Sequence, residues 1–283
     1  MLKITKNELK MNAVKARLAA LEGIFNAKSG HPGGSFSATE MLCYLYFEQM
    51  NIDPANPKME NRDRFVLSKG HAAPGLYATL ALRGYFPVSD LATLRHPDSH
   101  LQGHPNMHYT PGVDMSTGSL GQGVSAAVGM ALAAKLGGAD WKVYAMLGDG
   151  ELQEGQVWEA AMFAAAKGLD NLTVIVDNNN MQIDGTIGEV NSPYPIDEKF
   201  AAFGFHVINI SGHCFDDIEK AFAEVKTVTD KPCCIVMKTV KGKGVSYMEN
   251  NVNWHGAAPN EEQYNQAVTE LKTALAGLEE IVA

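Results

Sequence analysis

At 283 residues the chain is long enough to bury a sizeable core, and α/β domains of this length are often single, so one domain over residues 1–283 is expected. Lys and Arg number 23 against 32 Asp and Glu, a formal charge of −9; this excludes a basic nucleic-acid face and requires an anionic ligand to be held locally, by a metal and backbone amides. No stretch is apolar enough for a bilayer, the N-terminus lacks a signal-peptide core, and Cys43, Cys214, Cys233 and Cys234 form no C-x-x-C pair, so no membrane partner and a cytoplasmic location with reduced thiols are expected.

The first predicted element is a helix opened by a capping box, Thr5-Lys6-Asn7-Glu8, with Leu9, Ala13, Ala16, Ala20 and Ile24 on one face and an end near Gly30. Ser29-Gly30-His31-Pro32-Gly33-Gly34 reads as a tight loop, the kind of irregular backbone that carries function, and it holds His31. Ser37-Ala38-Thr39-Glu40 reads as a second capping box, for a helix through Leu42, Leu45 and Tyr46. Residues 51–64 are polar with two prolines and read as an exposed connection.

Phe65-Val66-Leu67 is a short strand running into Ser68-Lys69-Gly70-His71-Ala72, which puts His71 between a strand end and a helix start. His96, His100, His104 and His108 recur every four residues and on a helix would stack like metal ligands. Pro97, Gly103, Pro105 and Pro111 forbid that helix, so the expectation is a histidine-rich loop beside a polar ligand. Gly118, Gly121 and Gly123 do not match dinucleotide-fold spacing. The small residues that follow, through Ala139, predict a central, buried helix with its N-terminus near the ligand.

The organising stretch is residues 143–180. Val143 to Leu147 is a buried strand that delivers Asp149 of Gly148-Asp149-Gly150 to a sheet edge. Leu152, Val157, Ala160, Ala161, Ala164 and Ala165 recur at helical spacing until Gly168, and Leu172 to Val176 is the next strand, ending at Asp177-Asn178-Asn179. Parallel neighbours joined by a helical crossover place both motifs at one carboxyl edge, where open α/β sheets bind ligands. One carboxylate, one amide oxygen and freed loop carbonyls are few, hard ligands that suit a magnesium ion keeping positions for phosphate oxygens. Beyond lie a strand at Phe205–Ile210, a helix over 216–228, a strand at Cys233–Thr239 and a helix from Glu261 to Val282 capped by Asn260. Lys241-Gly242-Lys243-Gly244 reads equally as an anion-binding loop or as mobile surface lysines.

With Ser-Gly-His-Pro-Gly-Gly, Ser-Lys-Gly-His-Ala, Gly-His-Pro, Thr-Gly-Ser-Leu-Gly-Gln-Gly, Gly-Asp-Gly-Glu-Leu-Gln-Glu-Gly, Asp-Asn-Asn and His-Gly-Ala-Ala-Pro in one order, the chain resembles the N-terminal, diphosphate-binding half of a transketolase. The resemblance implies a three-layer α/β/α thiamine-diphosphate-binding fold with a mostly parallel central sheet. It implies thiamine diphosphate and Mg²⁺, or Ca²⁺ or Mn²⁺ in its place, with Asp149, the Asn179 side chain and the Met181 carbonyl as metal ligands. His71, Gly118, Leu120, Gly150 and Asp177 would line the cofactor with Ile183 near its thiazolium, and Glu154 would join a network between active sites. His31, His71, His104 and His255 would move protons on a ketose, with His255 also beside the cofactor.

The implied activity moves a two-carbon ketol unit from a ketose phosphate to an aldose phosphate, as in the pentose phosphate pathway. The chain's end suggests a split enzyme: a pyrimidine-domain partner subunit, two copies of this chain at the centre of an α₂β₂ assembly, and inactivity alone. The residues leave open the α subunit of a 2-oxoacid dehydrogenase or a non-catalytic thiamine-diphosphate-binding protein, and sulfosugar or branched-sugar donors.

Overall fold

The computed structural model describes residues 4–281, so Val282, the expected end of the last helix, lies outside them. The strands are β1 (Arg64–Leu67), β2 (Val143–Gly148), β3 (Leu172–Asn178), a two-residue antiparallel pair β4 (Met181–Gln182) and β5 (Gly185–Thr186), β6 (His206–Ser211) and β7 (Cys233–Lys238). Five of them form one sheet in the order β1-β2-β3-β7-β6, parallel at every pairing. The helices are α1 (Lys6–Ala27), α2 (Pro32–Ser37), α3 (Thr39–Tyr44), α4 (Ala73–Arg83), α5 (Gln122–Gly137), α6 (Gly155–Ala166), α7 (Ile187–Asn191), α8 (Ile196–Ala202), α9 (Phe215–Val225) and α10 (Glu261–Glu280). None among the described residues is long and apolar enough to cross a membrane.

The sheet is covered on both faces at β2, β3 and β7, which is why those strands read as continuous apolar runs; the edge strand β6 exposes Asn209 and Ser211. Strand side chains alternate, so Phe65, Leu67, Tyr144, Met146, Ile175, Ile235 and Met237 join one core with apolar residues of α1, α3, α4, α9 and α10. Val66, Val143, Ala145, Leu147, Val174, Val176, Cys234 and Val236 join the other, with α5, α6 and α8. The α/β architecture is therefore helices, sheet, helices. Gly148 is in register with Asp177, and Asn178 with Lys238, so the loops leaving β2, β3 and β7 open at one carboxyl edge.

Local chemistry explains where elements start and where expectation and structure part. The Thr5 box forms, with Thr5 N–H donating to Glu8 Oε2 at 2.7 Å and Glu8 N–H to Thr5 Oγ1 at 3.2 Å. The second box does not. Ser37 ends α2, a helix that replaces the second half of the expected loop with Pro32 in its first turn, and its hydroxyl donates to Asp177 at 2.5 Å. Glu40, the other half of that box, accepts from Arg17 Nη2 at 2.6 Å. Leu152 falls in a 3₁₀ turn, Gly150–Gln153, and α6 starts only at Gly155. The small-residue helix α5 is buried on one face, through Val124, Ala127, Val128, Ala131 and Ala134; Leu136 is 80% exposed, so the helix is not buried all round. Its neighbour α6 likewise exposes Met162 and Phe163.

Candidate active site

Two aspartates at the ends of adjacent strands receive opposite treatment. Asp177, fully buried, accepts from Lys69 Nζ, Ser37 Oγ, Thr239 Oγ1 and Asn179 Nδ2. Burial pushes its carboxyl up, but the Lys69 charge and these hydrogen bonds outweigh it and hold the group below the ordinary carboxylate value. Asp149, 2% exposed, accepts only backbone N–H groups, from Gly150 at 2.8 Å and Asn180 at 2.5 Å. Asn180 sits at φ +63, a left-handed conformation that asparagine tolerates. Burial, with the Asp177 charge behind it, pushes the Asp149 carboxyl up to about 7.

A third carboxylate fixes the loops around Asp149. Glu151 accepts from Ser68 Oγ at 2.5 Å and Gly121 N–H at 2.9 Å through Oε1, and from Gly148 N–H at 3.0 Å through Oε2. It thereby ties the end of β1, the N-terminus of α5 and the end of β2 together. Gly123 permits this approach, because a Cβ there would lie 2.7 Å from the Ser68 Cα.

The resulting cavity is bordered by Asp149, Asn179 and Met181, by Gly148 and Gly150, by His71, His255, Lys69 and Lys241, and by Leu120, Glu154 and Ile183. Glu154 and Ile183 stand at its exposed rim. Gly118 lies outside this lining, where a Cβ would meet the His104 ring at 3.2 Å, and Asp177 lies beneath it. A wider, more open groove runs along the edge strand β6 past Asn209, Ser211 and Lys220, but it holds neither Asp149 nor any of the four expected histidines.

The donor set fits a hard divalent cation. Asp149, Asn179 and Met181 bring a carboxylate, an amide and a backbone carbonyl to one side of the cavity, and among the described residues no three His, Cys, Asp or Glu gather into a metal cage. A cation held here would therefore share its coordination with ligand oxygens, as magnesium does between carboxylates and phosphates. It would also supply the counter-charge that the Asp149 carboxylate lacks. The Lys241 ammonium, 1% exposed, donates to the Met181 carbonyl at 3.2 Å and lies 2.8 Å from His255 Nδ1. Burial lowers its pKa to about 8 against the opposing pull of Asp149. With the Lys69 charge taken up by Asp177, Lys241 and the cavity's glycine backbone are what this acidic chain offers an anion here.

Four histidines from four separate segments converge beside that site. The ring centres of His31 and His71 are 5.4 Å apart, His31 and His255 5.6 Å, His71 and His255 5.1 Å, and His31 and His104 6.5 Å. Burial, then Arg95, His104 and Lys241, bring His31 down to about 4; burial, then Lys241, His31 and Lys69, bring His255 down to about 3. His71 falls well below its ordinary value through burial and Lys69, and His104 is lowered by burial and Arg95. All four are neutral near pH 7, each with one N–H to donate and one nitrogen to accept. The segment over 94–121 contains no α-helix, and of its regularly spaced histidines only His104 joins this cluster; His100 pairs with Asp90 at 3.1 Å.

Lys69, Glu151 and Arg95 are site residues that motif reading passed over, and Lys241 is one it left undecided. For Lys69 the sequence signals are its place between a strand and a helix and within the Ser-Lys-Gly-His-Ala motif, neither of which names its partner; Asp177 lies 108 residues away. Lys243, two residues from Lys241, pairs with Glu249 at 3.1 Å and does not line the cavity.

A family model described as "Transketolase, thiamine diphosphate binding domain" matches residues 8–276. The chain is 48% identical over 265 residues to the 6-deoxy-6-sulfo-D-fructose transketolase subunit SqwG of Clostridium sp. (strain MSTE9), covering 94% of this chain and 96% of that one. It is 42% identical over 271 residues to an apulose-4-phosphate transketolase subunit of Phocaeicola vulgatus, covering 96% of each. The transketolase structure from Campylobacter jejuni superposes with a TM-score of 0.89 at 34% identity, over 97% of this chain and 46% of that one, so the chain spans less than half of that relative.

Proposed function

We propose that this chain, which belongs to the transketolase family through its thiamine diphosphate binding domain, holds the diphosphate end of thiamine diphosphate through a divalent cation, and with a second polypeptide moves a two-carbon ketol unit between sugar phosphates. Asp149, Asn179 Oδ1 and the Met181 carbonyl would hold the cation, Mg²⁺ first. Lys241 and the backbone at Gly150 would meet the diphosphate, with His71 and Leu120 along the cofactor and Ile183 near its thiazolium. When bound, thiamine diphosphate supplies the carbanion chemistry; the chain binds, orients and moves protons. His31, His104 and His255 would donate to and accept from the hydroxyls of a polyhydroxylated substrate, which neutral imidazoles do without first losing a proton. Lys241 and Arg95 favour a substrate with an anionic end.

The observation that carries this reading is the convergence of four neutral histidines beside the Asp149 and Asn179 oxygens. A 2-oxo acid has fewer hydroxyl protons to move and does not call for four such groups. Relatives of nearly the same length are named as subunits, which supports a pyrimidine-domain partner and, by the symmetry usual in oligomers, an α₂β₂ assembly with two copies of this chain at its centre. The exposed apolar residues of α5 and α6, and Glu154 at the rim, suit that association. The buried, unpaired thiols of Cys43, Cys233 and Cys234 suit a reducing cytoplasm.

The test offers the chain, a candidate partner, thiamine diphosphate and Mg²⁺ two substrate sets. A ketose phosphate with an aldose phosphate should give a sugar phosphate longer by two carbons. Carbon dioxide from a 2-oxo acid, with no ketol transfer, would overturn the proposal.

A further inference from the structure

Arg95 belongs to neither the cofactor cavity nor any expected role, yet its side chain is placed with care. Its backbone lies at φ +61, a left-handed conformation that L side chains rarely adopt, and its N–H donates to the Leu101 carbonyl at 2.8 Å. Gly103 leaves room for the guanidinium, since a Cβ there would stand 3.1 Å from the Arg95 Cζ. Held so, Nη1 donates to Ser29 Oγ at 2.9 Å and Nη2 reaches His31 Nδ1 at 3.4 Å.

The second contact has only one chemical sense. A guanidinium has donors and no acceptor and stays charged, so His31 Nδ1 must accept and carry no proton. The proton of the neutral ring then sits on Nε2. That edge of the ring faces Gly256, next to His255, where a Cβ would lie 3.4 Å from Nε2 and Cδ2. We infer that Arg95 is a positioning residue that fixes His31 as the Nε2–H tautomer, so that His31 enters the site as a hydrogen-bond donor to a substrate oxygen. Without Arg95 both tautomers are open to the ring, and the Nδ1–H form would present an acceptor at the same place. The tautomer stands on the geometry alone, and its use in catalysis rests on the ketol-transfer reading.

Long-range ¹H–¹⁵N correlation spectra of histidine-labelled full-length chain read the tautomer directly, with His31 assigned by its loss in His31→Gln. The expected result is His31 protonated at Nε2 and bare at Nδ1, kept in Arg95→Lys and replaced by a mixture in Arg95→Met. In the assembled enzyme, Arg95→Met should lower turnover by less than the roughly 10²-fold expected for losing a proton donor outright. It should add no further loss to His31→Ala, because the two act as a unit. A wild-type His31 protonated at Nδ1, or a folded Arg95→Met chain with the tautomer unchanged, would overturn the inference. The wild-type spectrum decides even where Arg95→Met does not fold. Correct tautomers in a chain that shows no ketol transfer would support the positioning and count against the function.

Discussion

Glu40 offers a test that couples stability to the site. Its carboxylate, 7% exposed, accepts from Arg17 Nη2 at 2.6 Å and from His213 Nδ1 at 2.9 Å. His213 Nε2 in turn accepts the Val240 N–H at 2.9 Å, and Val240 precedes Lys241. Burial alone would push the carboxyl up, but Arg17 and His213 override it and hold it down at about 2, from an ordinary 4.5. At about 1.4 kcal/mol per pH unit, that drop gives roughly 3 kcal/mol of stability from ionised Glu40. Breaking a buried pair by removing one partner costs about 3–5 kcal/mol, the same order. A depressed carboxyl contributes fully above its unfolded value, near 4.5, and loses that contribution as pH falls toward 2. Glu40→Gln should therefore cost about 3 kcal/mol in urea unfolding of the chain at pH 7, and about 1 kcal/mol less at pH 4. It should also weaken thiamine diphosphate binding, through the loosened Val240–Lys241 backbone. A cost below about 1 kcal/mol at pH 7, or one that grows on acidification, would refute the reasoning.

Asp149→Ala should abolish Mg²⁺-dependent thiamine diphosphate binding in calorimetry on the assembled enzyme; unchanged affinity would remove Asp149 from the site. His104→Ala should lower turnover by about 10²–10⁴-fold while leaving cofactor affinity nearly intact, because its ring sits beyond the diphosphate cavity. Parent-rate turnover by a folded variant would remove it from proton transfer.

The central strands β2, β3 and β7 were legible because each is covered on both faces and so reads as an apolar run between turn residues, and the edge strand β6, with Asn209 and Ser211 exposed, reads by its alternation instead. The carboxyl-edge placement of Asp149 and Asp177 followed from two adjacent strands and one crossover. What local pattern could not show is competition from a distance. Ser37 and Glu40 have capping-box spacing, but Asp177, 140 residues away, takes the hydroxyl, and Arg17 and His213 take the carboxylate. Lys241 and Lys243 look alike in a Lys-Gly-Lys-Gly run, and only the packing of the loop buries one and leaves the other half-buried against Glu249. The small residues of α5 announce close packing without saying on which face, and half of that helix is open in the single chain. The four histidines lie on four segments whose convergence motif order can suggest and only the fold can supply.

The most direct measurement concerns the division of labour. The chain is purified without and with a candidate pyrimidine-domain partner, the mass of each preparation is taken by light scattering, and ketol transfer is followed with thiamine diphosphate, Mg²⁺, a ketose phosphate and an aldose phosphate. The expected result is no transfer from the chain by itself, and transfer from an assembly with the mass of two copies of each chain. Full activity from this chain alone would contradict it, since a group able to activate the aminopyrimidine would then have to lie within these 283 residues.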